Sequence, residues 1–168
     1  KNDIKFKNAY FNKYRNIWHH GDYAEIKSTD GFVIYGRSDT TLNPGGVRLG
    51  TAEIYSEVEK FREIREAIVV GQSWDNDIRI VLFIIMNKNF SIDDNLIKEI
   101  KKQIRKNASP RHVPSKIIVV KDIPRTKSGK IVELAVKNTI EGNKIKNREA
   151  LLNPEVLEEY KNLKELEY

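Results

Sequence analysis

Two glycine-bearing loops hold the residue types from which a phosphate site is built. The first runs Tyr35-Gly36-Arg37-Ser38-Asp39-Thr40-Thr41-Leu42-Asn43-Pro44-Gly45-Gly46-Val47-Arg48-Leu49-Gly50-Thr51, and the second Pro124-Arg125-Thr126-Lys127-Ser128-Gly129-Lys130. Both combine fixed cations with little apolar side chain, so core packing accounts for neither. A phosphate-rich ligand does: guanidinium and ammonium groups supply charge, and glycine lets the backbone come close. The second loop is not a Walker phosphate loop. Pro124 stands where its first glycine belongs, and Ile131 follows Gly129-Lys130 where a Ser or Thr is required. What remains is a Pro-started, Gly-flexible finger with Lys130 at its tip, ahead of a helix. Taken alone, such a loop reads more often as solvated surface.

The elements that position these loops follow from periodicity. Residues 22–27 and 31–37 alternate around an Asp30-Gly31 step and predict a β-hairpin. The turn chemistry of Thr40 to Gly46 breaks the pattern and marks a domain boundary. Thr51 is the expected N-cap of a helix carrying Ile54, Val58 and Phe61 inward. Ala67–Val70 and Ile78–Met86 read as paired strands, the second too uniformly apolar to face water on either side. Ser91-Ile92-Asp93-Asp94 opens a second helix in capping-box style, with Leu96, Ile97, Ile100 and Ile104 toward the core. A third strand spans Lys116–Val120 and a third helix Ile131–Ile140, ending near Gly142. The expectation is an α+β fold: a small three-stranded sheet covered by helices, preceded by a hairpin, with residues 147–168 as a charged helical tail.

Lys98, Lys101, Lys102 and Arg105 make a stripe on the second helix, opposite its isoleucines, and Lys106, Arg111 and Lys116 continue it. Such a stripe alone is more often a solvated face than a ligand site. The formal net charge of +6, from 30 Lys plus Arg against 24 Asp plus Glu, adds attraction to polyanions without separating nucleic acid from a nucleotide. A nucleic-acid module would interleave stacking aromatics with these cations, and the stripe has none. The absence of cysteine excludes disulfides and thiolate zinc sites, and three histidines lack metal-ligand spacing. No apolar run approaches a membrane span and no signal peptide opens the chain, so a cytoplasmic location is expected, with no membrane or nucleic-acid partner. The 168 residues begin with Lys1 and pass straight into an aromatic-rich segment, which reads as part of a longer polypeptide.

The ordered set Gly21-Asp22, Tyr35 to Asp39, Gly45 to Ile54 and Pro124 to Lys130 resembles the C-terminal signature of the adenylate-forming acyl-CoA synthetases. The segments Asp39 to Gly46, Asn107 to Pro114 and Val132 to Asn138 are similar in wording to the acetoacetyl-CoA synthetase branch of that family. The resemblance implies residues 1–39 as the trailing edge of a large N-terminal domain plus hinge, and residues 40–146 as a mobile C-terminal domain. It implies ATP, Mg2+ and coenzyme A as substrates of the whole enzyme, and an acyl-adenylate between them. By motif position, Asp22, Arg37 and Arg48 would contact ATP or AMP, and Asp39 would be the hinge. Lys130 would be catalytic in adenylation, while Gly45, Gly46 and Arg105 would receive coenzyme A. Pro44 departs from the Ser or Lys often found in the family at that place. The acyl substrate, acetoacetate or another short acid such as acetate or propionate, is not written in this part of the fold, and the chain alone is expected to be catalytically silent.

Overall fold

The computed structural model describes residues 3–145 and 147–167; Lys146 and Tyr168, which close the expected domain and tail, lie outside it. The chain runs α1 (Asp3–Tyr10), β1 (Asp22–Ile26), β2 (Phe32–Arg37), α2 (Ala52–Val58), β3 (Ile64–Trp74), β4 (Asp77–Met86), α3 (Asp94–Asn107), β5 (Lys116–Val119) and α4 (Glu133–Ile140). It ends in a succession of 3-10 turns. β1 and β2 form an antiparallel ribbon, Asp22 opposite Arg37. The main sheet has the order β3-β4-β5, antiparallel then parallel. A parallel return needs a crossover, and α3 supplies it.

The position of β4 explains its composition. As the central strand it is buried on both faces from Ile80 to Ile85. Ile80, Leu82 and Ile84 pack with Ile54 and Val58 of α2 and Leu96, Ile100 and Ile104 of α3. Val81, Phe83 and Ile85 face the other way, onto Val136 of α4 and Tyr160 and Leu166 of the tail. At the β3–β4 turn Trp74 pairs with Asp77, and Asp75 and Asn76 take φ of 49° and 58°. This is a two-residue turn whose left-handed backbone suits Asp and Asn.

Four expectations are revised. The tail is neither one helix nor a mere charged face: Leu157 and Tyr160 are fully buried, and the Tyr160 hydroxyl donates to Asp122 O at 2.8 Å. A sheet whose second face is apolar needs a cover, and α4, with 8 residues, leaves room for the tail to share it. Asp93 rather than Ser91 caps α3, accepting from Leu96 N–H at 2.7 Å. Thr51 stands before α2 with helical φ and ψ and makes no capping hydrogen bond. α4 begins only at Glu133, because Ile131 is drawn into a bridge with Arg125.

Helices α2 and α3 are also clipped by polar groups. The buried carboxylate of Glu57 accepts from Asn107 Nδ2 at 2.8 Å and Gln103 Nε2 at 3.1 Å. Each such charge-assisted bond contributes about 1.5–3 kcal/mol, about the same as full burial of one isoleucine, but the buried aliphatic side chains between α2, α3 and β4 outnumber these two bonds. Apolar burial therefore dominates, and Ile100→Ala is expected to cost about 2–5 kcal/mol, read as a lower urea midpoint with the slope unchanged.

Candidate functional site

The first glycine loop divides into a charged part and a turn. At the charged part, Arg37 leaves β2 with its Nη1 donating to His20 O at 2.9 Å and lying 3.6 Å from Asp22 Oδ1, while its Nε lies 3.4 Å from Asp39 Oδ1. One guanidinium thus stands between the predicted ribose acceptor and the predicted hinge. Gly21 makes this possible: a Cβ there would sit 2.7 Å from the Arg37 guanidinium, and its φ of +94° favours glycine. Asp22 Oδ2 is 2.5 Å from His20 Nδ1. Arg48 lies over the Tyr23 ring, 5.7 Å from its centre, so the structure brings Asp22, Arg37, Asp39 and Arg48 around one ribbon end.

Core packing accounts for more of this loop than its sequence suggests. Leu42 and Leu49 are buried and pair backbone to backbone, Leu42 N–H to Leu49 O at 3.0 Å and the reverse at 2.8 Å. Between them, residues 43–48 form a pinched turn whose Gly45 and Gly46 have φ of 57° and 75°. Gly45 N–H donates to both carboxylate oxygens of Asp77 at 2.9 Å. The N–H groups of Ile78 and then Gly45 hold the Asp77 carboxyl below its usual range. A Cβ at Gly45 would lie 3.2 Å from Arg111 Nη1. Arg111 and Asp77 are therefore the residues of this turn that sequence reasoning did not assign; the Ser109-Pro110-Arg111 step, where Ser109 caps a short turn, was the available signal for the first. Arg105 and Lys98 are exposed on α3, whereas Lys101 is half-buried and donates to Ser115 O at 3.3 Å. The basic stripe is thus not uniformly free.

The lysine finger is closed at its base by the Arg125–Ile131 bridge and by an ion pair between Arg125 and Glu66 of β3. Gly129, at φ +83°, turns the tip, and its N–H donates to Thr126 O at 2.8 Å. Lys130 is exposed, and among the described residues none pairs with its ammonium. Its backbone N–H is held by Thr126 Oγ1 at 3.1 Å. Arg37 and the finger base share one groove, lined also by Tyr55, Ile131 and Glu133. There the Tyr55 hydroxyl accepts from Val69 N–H at 3.0 Å and donates to Glu133 Oε1 at 2.5 Å. Burial first, and then the Glu133 charge, push its pKa well above the usual value, so it remains a donor.

The lysine finger and the Gly45–Gly46 turn are anchored near opposite ends of the β3–β4 ribbon. The finger is tied to Glu66 near the start of β3, and the glycine turn to Asp77 opposite Trp74 at its end. Eight residues of strand at about 3.3 Å each separate these ends by about 25 Å. Among the described residues no three His, Asp or Glu side chains converge as metal ligands, and no helix is long and apolar enough to cross a membrane.

Comparison with known proteins adds three findings. Residues 53–130 match the family described as AMP-binding enzyme C-terminal domain. The chain is 56% identical over 162 residues to acetoacetyl-coenzyme A synthetase of Rhizobium meliloti (strain 1021), covering 96% of this chain and 25% of the relative. It is 46% identical over 169 residues to acetoacetyl-CoA synthetase of Gallus gallus, covering 99% of this chain and again 25% of the relative. The structure of acetoacetyl-CoA synthetase from Streptomyces lividans superposes with a TM-score of 0.84 at 38% identity, covering 94% of this chain and 24% of that one. The chain thus spans about a quarter of the length of these relatives.

The Asp77 clamp is open to test by pH. A carboxyl whose pKa is depressed by folding stabilises above its unfolded value and loses that contribution as pH falls through the folded one. The Gly45 amide should therefore be protected from hydrogen exchange at neutral pH and lose protection only below the usual carboxylate range. In Asp77→Ala the amide should exchange fast at every pH.

Proposed function

Residues 53–130 belong to the AMP-binding enzyme C-terminal domain family, and from that premise we propose that the chain is the mobile C-terminal part of an ATP-dependent acyl-CoA ligase acting on acetoacetate. The relatives' names support that substrate. The reaction has two halves. A carboxylate oxygen attacks the α-phosphorus of ATP, presented as its magnesium complex, and pyrophosphate leaves. The sulfur of coenzyme A then attacks the acyl carbon, and AMP departs with the bonding pair. A carboxylate lacks a good leaving group; AMP provides it.

The observation that supports this reading is the separation of an unpaired ammonium from a glycine turn along one rigid ribbon. A finger and a glycine turn whose anchors on the sheet lie about 25 Å apart cannot both serve one reacting centre in a single orientation, so the domain presents them in turn. In the first, Lys130 reaches the α-phosphate and acyl oxygens as charge develops there, and Arg37 and Arg48 supply fixed charge near the nucleotide. Asp22, with two acceptor oxygens, suits a ribose diol. In the second, Lys130 withdraws and Gly45 and Gly46, without side chains, leave room for the pantetheine arm. Exposed Arg105 faces the phosphates of coenzyme A, and Arg111 joins it beside the turn. Asp39 is the pivot: its carboxylate engages Arg37 on one side of the joint, and Leu42 anchors the other in the core.

The division at Asp39, with residues 1–39 as the edge of a larger domain, draws support from exposed apolar side chains. Ile26, Phe32 and Ile34 are 67%, 72% and 61% exposed on the ribbon. Cover from the rest of the polypeptide explains them better than solvent. The acyl pocket, the adenine pocket and the remaining phosphate contacts then belong to that larger part. A cytoplasmic place of action is part of the same proposal.

In the full-length protein, Lys130→Ala should lower ATP–pyrophosphate exchange by about 10²–10³-fold while a supplied acyl-adenylate still yields thioester. Equal loss of both half-reactions would contradict this role. Asp39→Pro, by fixing φ at the pivot, should impair one half-reaction selectively. Kinetics of the full-length enzyme with acetoacetate, acetate and propionate check the substrate: kcat/KM is expected to be highest for acetoacetate.

A further inference from the structure

An exposed lysine with no partner among the described residues is aimed by the backbone that carries it, so the accuracy of Lys130 depends on its loop. That loop is held from outside by the tail. Thr126 and Leu151 form an antiparallel bridge. Lys127 N–H donates to Ala150 O at 3.2 Å and Leu152 N–H to Arg125 O at 2.8 Å. Asn153 completes the contact: its Oδ1 accepts from Arg125 N–H at 2.8 Å, and its Nδ2 donates to Asp122 Oδ2 at 2.9 Å and Ile123 O at 3.0 Å. One amide side chain thereby fixes residues on both sides of Pro124.

These bonds fall on one arm of the finger, residues 125–127, and the tip depends on that arm. Thr126 N–H donates to Lys130 O at 2.8 Å, and Thr126 Oγ1 receives Lys130 N–H. The tail segment is itself anchored from below, by Leu151 and Leu157 in a cluster with Ala135 of α4 and by Lys121 N–H donating to Glu159 at 3.0 Å. The brace therefore links the finger to the covered face of the sheet.

We propose that residues 150–153 are a positioning element for Lys130 and that Asn153 is a positioning residue, fixing the arm whose bend carries the ammonium. This rests on the adenylation role proposed for Lys130. The brace moves with the finger, so it aims the lysine without tying the ammonium down.

The test uses the full-length enzyme with Asn153→Ala, Leu152→Pro and, as a control outside the brace, Glu165→Ala at an exposed position. The second variant removes the N–H that Arg125 O accepts while altering only an exposed side chain, and Leu151 before it has φ −75° and ψ 145°, which a following proline accepts. Both brace variants should lower ATP–pyrophosphate exchange by about 10–100-fold, leave thioester formation from supplied acyl-adenylate unchanged, and speed hydrogen exchange at Arg125 and Lys127 while β3 and β4 remain protected. Glu165→Ala should change none of these. Faster amide exchange at Arg125 and Lys127 with undiminished ATP–pyrophosphate exchange would overturn the inference, as would equal loss of both half-reactions. If Lys130→Ala itself left ATP–pyrophosphate exchange intact, the adenylation reading would fail and take this inference with it. Unchanged amide protection in Asn153→Ala would refute the brace alone.

Discussion

A strand with no polar side chain from Ile80 to Ile85 imposes the arrangement of everything around it. Neither face can meet water, so the sheet must be sandwiched, and the chain must supply two covers from a small number of elements. α2 and α3 make the first and are the more regular, because α3 has an isoleucine–leucine stripe spaced for one helix face. α4 is too short to make the second alone. The remaining area is closed by Tyr160 and Leu166 in 3-10 turns, with Phe83 and Tyr160 in edge-to-face contact at 4.9 Å.

Rigidity in the sheet becomes spacing in the site. β3 and β4 are paired along their whole length and closed by a two-residue turn, so whatever is fastened to their ends stays at a set separation. The finger is fastened at Glu66 and the glycine turn at Asp77. Both fastenings are polar and local, while the loop tips project beyond them. That combination suits a part that must present different tips to one centre without changing its own shape.

The distribution of paired and unpaired cations separates structural from available charge. Arg79 is buried, stacks over Trp74 with its guanidinium 3.6 Å from the ring centre, and donates to Gln72 and to Leu166 O, which closes the tail against the sheet. Arg125 is committed to Glu66, and Arg37 stands between Asp22 and Asp39. Arg105, Arg111 and Lys130 have exposed side chains and, among the described residues, no counter-charge. Net charge alone could not make this distinction, since each of these residues adds one unit to it.

The sequence by itself determined the elements and the chemistry of the loops. Alternation located the hairpin, an unbroken apolar run located β4, the isoleucine spacing located α3, and the ordered Gly, Arg and Lys motifs carried the family resemblance, because each of these signals is local in the chain. It did not reveal that Leu42 and Leu49 anchor the glycine loop, that Asp77 and Arg111 meet at Gly45, or that Asn153 holds the finger. The contacts of Asp77 and Arg111 with Gly45 and of Asn153 with Arg125 join residues 28 to 66 positions apart, and no periodicity records such a meeting. Tertiary structure decided them, and with them the about 25 Å between the anchors of the finger and of the glycine turn, since distance along a folded sheet is set by pairing register and not by separation in sequence.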